Sequence, residues 1–349
     1  MLASKWPADG LERVASCPVC GSNERTILHD GLTDRIFFCA PGKWTLHLCG
    51  GCGSGYLDPR PSQATIHLAY RSYYTHEVTV RQKTQGLSTI RRLMRMLGNG
   101  YRNSRYGTHY APASRAGNIL FKLFPNARLG FDRQMRYLPR LPEGGRLLDL
   151  GFGSGAFLEL AREGGWVVTG ADPEPVVVDT ARERGLDVRQ GGIEAFADQT
   201  ERFDVVTVSH VIEHVPNPQD TLRSAYSLLK PGGTMWICTP NLAGPGYQQF
   251  GRHWRGLEPP RHLVIFNRNA LMKCAASLGF TDFIDLPYAP IIRLRFLASI
   301  AVEQGTPNVR NFDGFSPDDK TVERLEFNAK QDPNARDDIL FTCRKPMPS

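Results

Sequence analysis

No apolar run in the 349 residues is long enough to cross a bilayer. The most apolar late stretch, IIRLRFLASIAV, is only a dozen residues long and carries Arg293 and Arg295. The opening MLASKWPADG lacks the apolar centre of a secretory leader, so no signal peptide is expected and the chain reads as cytoplasmic. Internal repeats and low-complexity tracts are missing too, which excludes a repeat array and a largely disordered chain. What remains, 41% hydrophobic and 22% charged residues, is the composition of an ordinary globular protein. The length suggests two or three units, at least one with a sizeable core.

The charge is unevenly placed. From Arg91 to Arg146 there are twelve Lys or Arg against two acids, Asp132 and Glu143, a net of +10; the whole chain is +7, so the remainder carries −3. Such a block suits nucleic acid, an acidic membrane surface or a phosphorylated acceptor, or it is simply a solvated helical face.

Eight cysteines fall into two groups. Cys39, Cys238, Cys274 and Cys343 are scattered and read as small core hydrophobes. Cys17 and Cys20 stand in CPVCG, and Cys49 and Cys52 in CGGCG, with 28 residues between the two pairs. Each C-x-x-C with its glycine makes a tight knuckle that points two thiolates at one ion. Two knuckles complete a closed tetrahedral site for structural Zn²⁺, with no position left for catalytic water. A disulfide pair is the rival, disfavoured in a reducing compartment.

Along the chain, residues 1–60 read as a zinc ribbon ending in LDPRPS. Residues 61–140 read as a basic helical segment covering the active site, with Tyr70, Tyr73 and Tyr74 near its start. Residues 141–349 form the core, with a polar, loop-like insertion at about 290–336 before the final strand DDILFTCRK.

The decisive region begins at Arg146. RLLDL reads as a short buried strand, Gly151-Phe152-Gly153-Ser154-Gly155 as a glycine loop, and FLELARE as an amphipathic helix. Glycines there allow a tight turn and a close approach of backbone to ligand. GFGSGA also satisfies the dinucleotide pattern G-x-G-x-x-A, so a nicotinamide enzyme competes at this point. Further features separate the two. Asp149 sits two residues before the first glycine, where a carboxylate faces an amino-bearing ligand rather than pyrophosphate. The strand WVVTGAD ends at Asp172, about where a ribose diol would be gripped. FDVVTVS delivers HVIEHV, and LLKPGGTMWICTPN supplies a helix, a turn and a fifth strand.

The order of these parts resembles class I S-adenosylmethionine-dependent methyltransferases. The resemblance implies an α/β fold, a Rossmann-like seven-stranded methyltransferase sheet, here with an N-terminal zinc ribbon and a helical insert. It implies that Asp149, Gly151, Gly153 and Gly155 hold the methionine part of the cofactor and that Asp172 bonds the ribose hydroxyls. Gly192, Ile193 and Glu194 would lie near adenine, and Ser209 and His210 beside the sulfonium and the acceptor.

HVIEH, residues 210–214, also spells a zinc-protease signature, in which two histidines on a helix bind metal and a glutamate is the base. Pro216 and Pro218 cut the segment to barely a turn, and no motif marks a third ligand. The pentapeptide therefore belongs with the methyltransferase reading. The ribbon, a YRSYY segment and EPPRHLVIFN narrow the resemblance to bacterial enzymes that modify polysaccharides and secondary metabolites. A glycan or other small-molecule acceptor is thus expected, with phosphorylated or lipid-linked forms compatible with the basic block. For an oxygen acceptor the first candidate base is His214 and the second His210. Glu213 would orient a histidine, and His262 and Tyr73 would line the acceptor pocket. An RNA methyltransferase is the alternative, but the ribbon lacks interleaved aromatic and basic residues. A scaffold that keeps the cofactor site without turnover is a third, weaker reading.

Overall fold

The structure, a computed structural model, describes residues 5–70, 89–140, 144–306, 312 and 314–348. Tyr73 and Tyr74, with most of the YRSYY segment, lie outside the described residues.

The N-terminal part is built on short strands: β1 (Leu11–Glu12), β2 (Arg25–Leu32), β3 (Trp44–Cys49), β4 (Gly55–Leu57) and β5 (Arg60–Pro61). β2 and β3 form the antiparallel hairpin that the spacing between the cysteine pairs has room for. Three helices follow: α1 (Thr89–Tyr106), α2 (Ala116–Leu123) and α3 (Pro125–Gln134).

The core then alternates strand and helix: β6 (Arg146–Leu150), α4 (Ala156–Glu163), β7 (Val167–Asp172), α5 (Pro175–Glu183), β8 (Asp187–Gln190), β9 (Phe203–Ser209), α6 (Pro218–Leu228) and β10 (Leu229–Pro240). After it come α7 (Pro245–Phe250), β11 (Val264–Ile265), α8 (Arg268–Ser277), β12 (Thr281–Asp285), α9 (Ile292–Glu303), α10 (Asp319–Gln331) and β13 (Asp338–Arg344). Seven strands make one sheet in the order β12-β13-β10-β9-β6-β7-β8, parallel except for β13, which runs antiparallel to both neighbours. This is the seven-stranded, Rossmann-like sheet expected. Its central strands are covered on both faces: Leu147, Leu148 and Leu150 of β6 and Val205, Val206 and Val208 of β9 are all buried. Short apolar runs such as RLLDL suit a parallel sheet for that reason. The chain reverses direction across the sheet between β6 and β9, so the crevice outside their carboxyl ends is the natural ligand site.

Two features go beyond the sequence reading. The sheet of the ribbon draws a strand from the core. β11, from the core, pairs with β4 and completes a four-stranded sheet, β11-β4-β3-β2. And the insertion is not loop-like: it folds as α9 and α10, which bury Ile292, Phe296, Val322 and Ala329 in one cluster. α10 is mostly polar and charged, and its few apolar positions make a continuous buried face only once they pair with the apolar α9.

Candidate active site

Beyond β6 the backbone turns through Gly151, Gly153 and Gly155, with φ of +62°, +54° and +74°. Only glycine adopts these values without steric cost. A Cβ on Gly151 would stand 2.3 Å from Cγ2 of Val211, so the loop after β6 and the turn after β9 touch there. At Gly153 a Cβ would meet nothing within 4 Å, leaving an open cradle beside the peptide. Asp172, at the end of β7, ties the loop down. Its carboxylate accepts from the backbone N–H of Gly153 and of Glu174, each at 3.0 Å.

Asp149 is fully buried on β6. One of its oxygens accepts from Nη1 of Arg136 and, at 2.8 Å, from the Thr207 hydroxyl. The other, Oδ2, makes no hydrogen bond within the protein. Burial pushes this carboxyl up, while Arg136 pulls in the opposite direction. Arg136 is held unusually. It and Tyr137 both have positive φ (+46° and +57°), and its guanidinium lies 3.7 Å over the Phe157 ring, on the first turn of α4. Strained backbone that carries a cation to a buried acid beside a glycine loop is a mark of a functional site. An orphaned carboxylate oxygen next to an open cradle fits the amino-acid end of the implied cofactor.

β9 ends at Ser209, in register with Cys238 of β10, and releases HVIEH as a turn rather than a helix. His210 has φ +53° and donates its N–H to the Cys238 carbonyl at 2.8 Å. The Nε2 and Nδ1 atoms of its ring lie 3.6 Å from the Cys238 sulfur and 3.3 Å from Oε1 of Glu213. Burial disfavours a charge on His210, yet Cys238, Glu213 and Asp338 outweigh it and raise its pKa well above the ordinary value. Glu213 is fully buried and accepts from the Thr239 hydroxyl at 2.9 Å. Burial would raise its pKa, but His210, His214 and His262 around it hold the carboxyl down at about 2.

His214 presents Nδ1 to the Arg261 carbonyl and to the Tyr70 hydroxyl, both at 3.0 Å. A carbonyl accepts only from N–H, so that bond assigns the proton to Nδ1 and leaves the lone pair of the neutral ring on Nε2. His262 crosses His214 edge to face at 4.7 Å and gives its own Nδ1–H to the Gly256 carbonyl at 2.7 Å. Its pKa is lowered to about 4, chiefly by burial, so it is neutral at physiological pH. Glu213, His214 and His262 bring donor atoms within 4.8 Å of one another, a different set from the paired histidines of a protease helix.

The four N-terminal cysteines converge as free thiols. Sγ of Cys17 is 3.7 Å from that of Cys52, and Sγ of Cys20 is 3.5 Å from that of Cys49. Ligands about 2.3 Å from one tetrahedral ion stand roughly 3.8 Å apart, so the donor set fits Zn²⁺. Each knuckle has a left-handed glycine, Gly21 at +77° and Gly53 at +71°. Both knuckles are fastened to the core. Gln219 donates to the Val19 carbonyl at 2.9 Å and Asn267 to the Cys52 carbonyl at 2.8 Å. Arg60 donates to Pro216, just past HVIEH, at 2.8 Å.

The sequence-derived residues thus form two neighbouring groups. Asp149, the three glycines and Asp172 gather at the ends of β6 and β7, and His210, Glu213, His214 and His262 gather beyond β9. Ile193 begins a short turn after β8; Glu194 there is exposed and accepts from its own loop, the Gly192 N–H, at 2.7 Å. Three contributors had escaped the sequence reading: Arg136, Tyr70 as a partner of His214, and Arg261. The one usable signal for Arg136 was the acid inside an apolar strand, which demands a countercharge without saying where it comes from.

A methyltransferase domain model matches residues 126–283. The ubiquinone biosynthesis O-methyltransferase of Xanthomonas oryzae pv. oryzae (strain PXO99A) is 35% identical over 168 residues, covering 42% of this chain and 68% of that protein. That of Pseudomonas entomophila (strain L48) is 39% identical over 165 residues, covering 43% and 71%. Among solved structures, a SAM-dependent methyltransferase from Archaeoglobus fulgidus aligns with a TM-score of 0.43 at 21% identity, over 64% of this chain and 99% of that one.

Proposed function

The chain belongs to the S-adenosylmethionine-dependent methyltransferases, and from that premise we propose that it methylates an oxygen of a small organic acceptor of the sugar or polysaccharide-precursor class. The observation that carries the oxygen assignment is the anchored imidazole of His214, and the O-methyltransferases among the relatives support it. The motif EPPRHLVIFN and the ribbon support the glycan class.

When bound, S-adenosylmethionine supplies a methyl group on a sulfonium, an electrophile that needs no activation by the protein. The chain's own work is therefore to bind, align and deprotonate. We assign the ammonium of the cofactor to Asp149 and its carboxylate to Arg136, which in the free protein neutralise each other. Asp172 takes the ribose hydroxyls, and Gly192, Ile193 and Glu194 border the adenine. Nε2 of His214 accepts the acceptor's proton. Tyr70 and the Arg261 carbonyl keep that ring oriented, and the Glu213 carboxylate stabilises it as it becomes positive. Ser209 and His210 line the passage between the two groups. Cys17, Cys20, Cys49 and Cys52 hold a structural Zn²⁺. The segment 61–140 covers the site in this reading, since it supplies both Tyr70 and Arg136.

Calorimetry with S-adenosylhomocysteine tests the cofactor assignment. Saturable binding is expected, weakened by about 1–3 kcal/mol in Asp172→Ala, where the ribose hydroxyls lose a charged partner. Binding of NADH without binding of S-adenosylhomocysteine would return the nicotinamide reading. Transfer of labelled methyl to a panel of sugar and phenolic hydroxyl compounds tests the acceptor, and an N- or C-methylated product overturns the oxygen assignment. If the acceptor is RNA instead, filter binding will fall steeply with salt.

A further inference from the structure

Six of the fourteen large apolar side chains that stand exposed among the described residues lie between Ile90 and Phe124. Their arrangement on α1 is periodic. Ile90, Leu93, Met94, Leu97 and Tyr101 fall on one stripe of the helix. The C-terminal half of that stripe is covered: Leu97 and Tyr101 join Phe121 and Phe131, and the Tyr101 and Phe121 rings stand 5.3 Å apart. The cover ends where α2 meets α1. A Cβ on Gly117 would lie 1.9 Å from the Leu97 carbonyl oxygen, so the two backbones touch there. N-terminal to this point the same stripe runs on uncovered for two turns, with Ile90 75% and Leu93 and Met94 each 51% exposed. α2 likewise ends in exposed apolar side chains, Ile119, Leu123 and Phe124.

Along the three helices themselves the charge is almost all of one sign. From Thr89 to Gln134 there are nine Arg or Lys and a single acid, Asp132. That acid is buried and accepts from the hydroxyls of Tyr101 and Tyr106 at 2.6 and 2.5 Å, so no carboxylate faces outward from the three helices. Arg91, Arg92, Arg95, Arg115 and Lys122 are exposed on the same turns as the apolar side chains.

We propose that the start of α1 and the end of α2 form a docking surface for an anionic lipid bilayer. Aliphatic side chains enter the boundary between headgroups and acyl chains while the long basic side chains reach the phosphates, the arrangement of an interfacial helix. Three other occupants fit less well. A second copy would set two strongly basic faces against each other. RNA would be met by aliphatic groups, which offer bases no stacking platform, Phe124 being the only aromatic among the six. A membrane-spanning role is ruled out for the described helices, none of which is long and apolar enough. The surface does not depend on what the acceptor is.

Co-sedimentation of the intact protein with vesicles decides the matter. Vesicles of phosphatidylcholine with phosphatidylglycerol should retain the protein roughly tenfold better than phosphatidylcholine alone, and 0.5 M salt should remove most of the difference. The double variant Leu93→Asp with Leu123→Asp should lose retention by at least about tenfold. Both residues are exposed and apart from the candidate active site, so affinity for S-adenosylhomocysteine and the thermal transition should stay unchanged. Arg92→Glu with Lys122→Glu should do the same. Equal retention by wild type and the apolar variant overturns the proposal, as does the absence of retention on anionic vesicles. Saturable binding of a single-stranded RNA without vesicle binding also overturns it and assigns the surface to nucleic acid.

Discussion

Burying an imidazole favours its neutral form, because a charge loses its hydration. For His262 this effect outweighs the pull of Glu258 and Glu213 and is reinforced by His214, giving a pKa of about 4. The folded value lies below the unfolded one of about 6.5, so on acidification the unfolded chain takes the proton first. The stability tied to His262 is complete above about pH 6.5 and is lost as pH falls towards 4, at up to about 1.4 kcal/mol per pH unit. Urea unfolding between pH 7 and 4.5 should therefore show a slope that shrinks in His262→Gln; an unchanged slope would assign it elsewhere. Glu213, held down at about 2, contributes in a separate, lower window, its stability lost only below its unfolded value near 4.5. The neighbouring His214 carries the catalytic prediction. His214→Ala should leave cofactor affinity nearly intact and lower turnover by roughly 10²–10⁴-fold, since it removes only the destination of the acceptor's proton. His210→Ala should disturb cofactor binding at least as much as turnover. Normal turnover in His214→Ala with the true acceptor would make His214 structural.

At the scale of elements, the two knuckles repeat one construction. Gly21 donates its N–H to Cys17 at 2.8 Å and Gly53 to Cys49 at 2.9 Å, the same bond at the same place in each. The repeated C-x-x-C-G string encodes this locally, so the convergence of the four cysteines was legible letter by letter. Elemental analysis should find one zinc per chain, and Cys49→Ser should release it and lower the unfolding temperature, because a structural site contributes binding energy to folding. Protein without zinc, whose unfolding Cys49→Ser leaves unchanged, would remove the assignment. HVIEH teaches the complementary lesson. Its letters suit a helix, but the N–H of His210 is taken by β10, and within the pentapeptide only His214 N–H to Val211 is made, at 2.9 Å. Sheet pairing and the prolines that follow decided its conformation.

Over the whole molecule, ribbon and core are joined through a side chain with no exposure, Arg261. It holds both oxygens of Asp34 at 3.1 and 2.6 Å, Glu258 at 3.0 Å and the Ala69 carbonyl at 2.8 Å. The last bond fixes the residue next to Tyr70, and its own carbonyl meets His214. Arg261→Met would leave the buried Asp34 carboxylate without its cation, while Glu258 keeps Arg255, and should cost about 3–5 kcal/mol. Ribbon and core should then lose stability in one transition, read by calorimetry, and separate unfolding of the two would refute the coupling.

What the letters alone determined was whatever is encoded within a few residues of itself: the strand–glycine loop–helix unit at Arg146, the acids in RLLDL and WVVTGAD and the knuckle cysteines; the seven-stranded sheet came through the family resemblance that their order carries. What only the tertiary structure decided was every pairing across long separations. Arg136 reaches Asp149 through a left-handed turn, Tyr70 meets His214 across 144 residues, and Arg261 meets Asp34 across 227. β11 leaves the core to complete the ribbon's sheet. A buried charge requires a partner, but hydrogen-bond chemistry sets no sequence distance, and so the partner is chosen by packing.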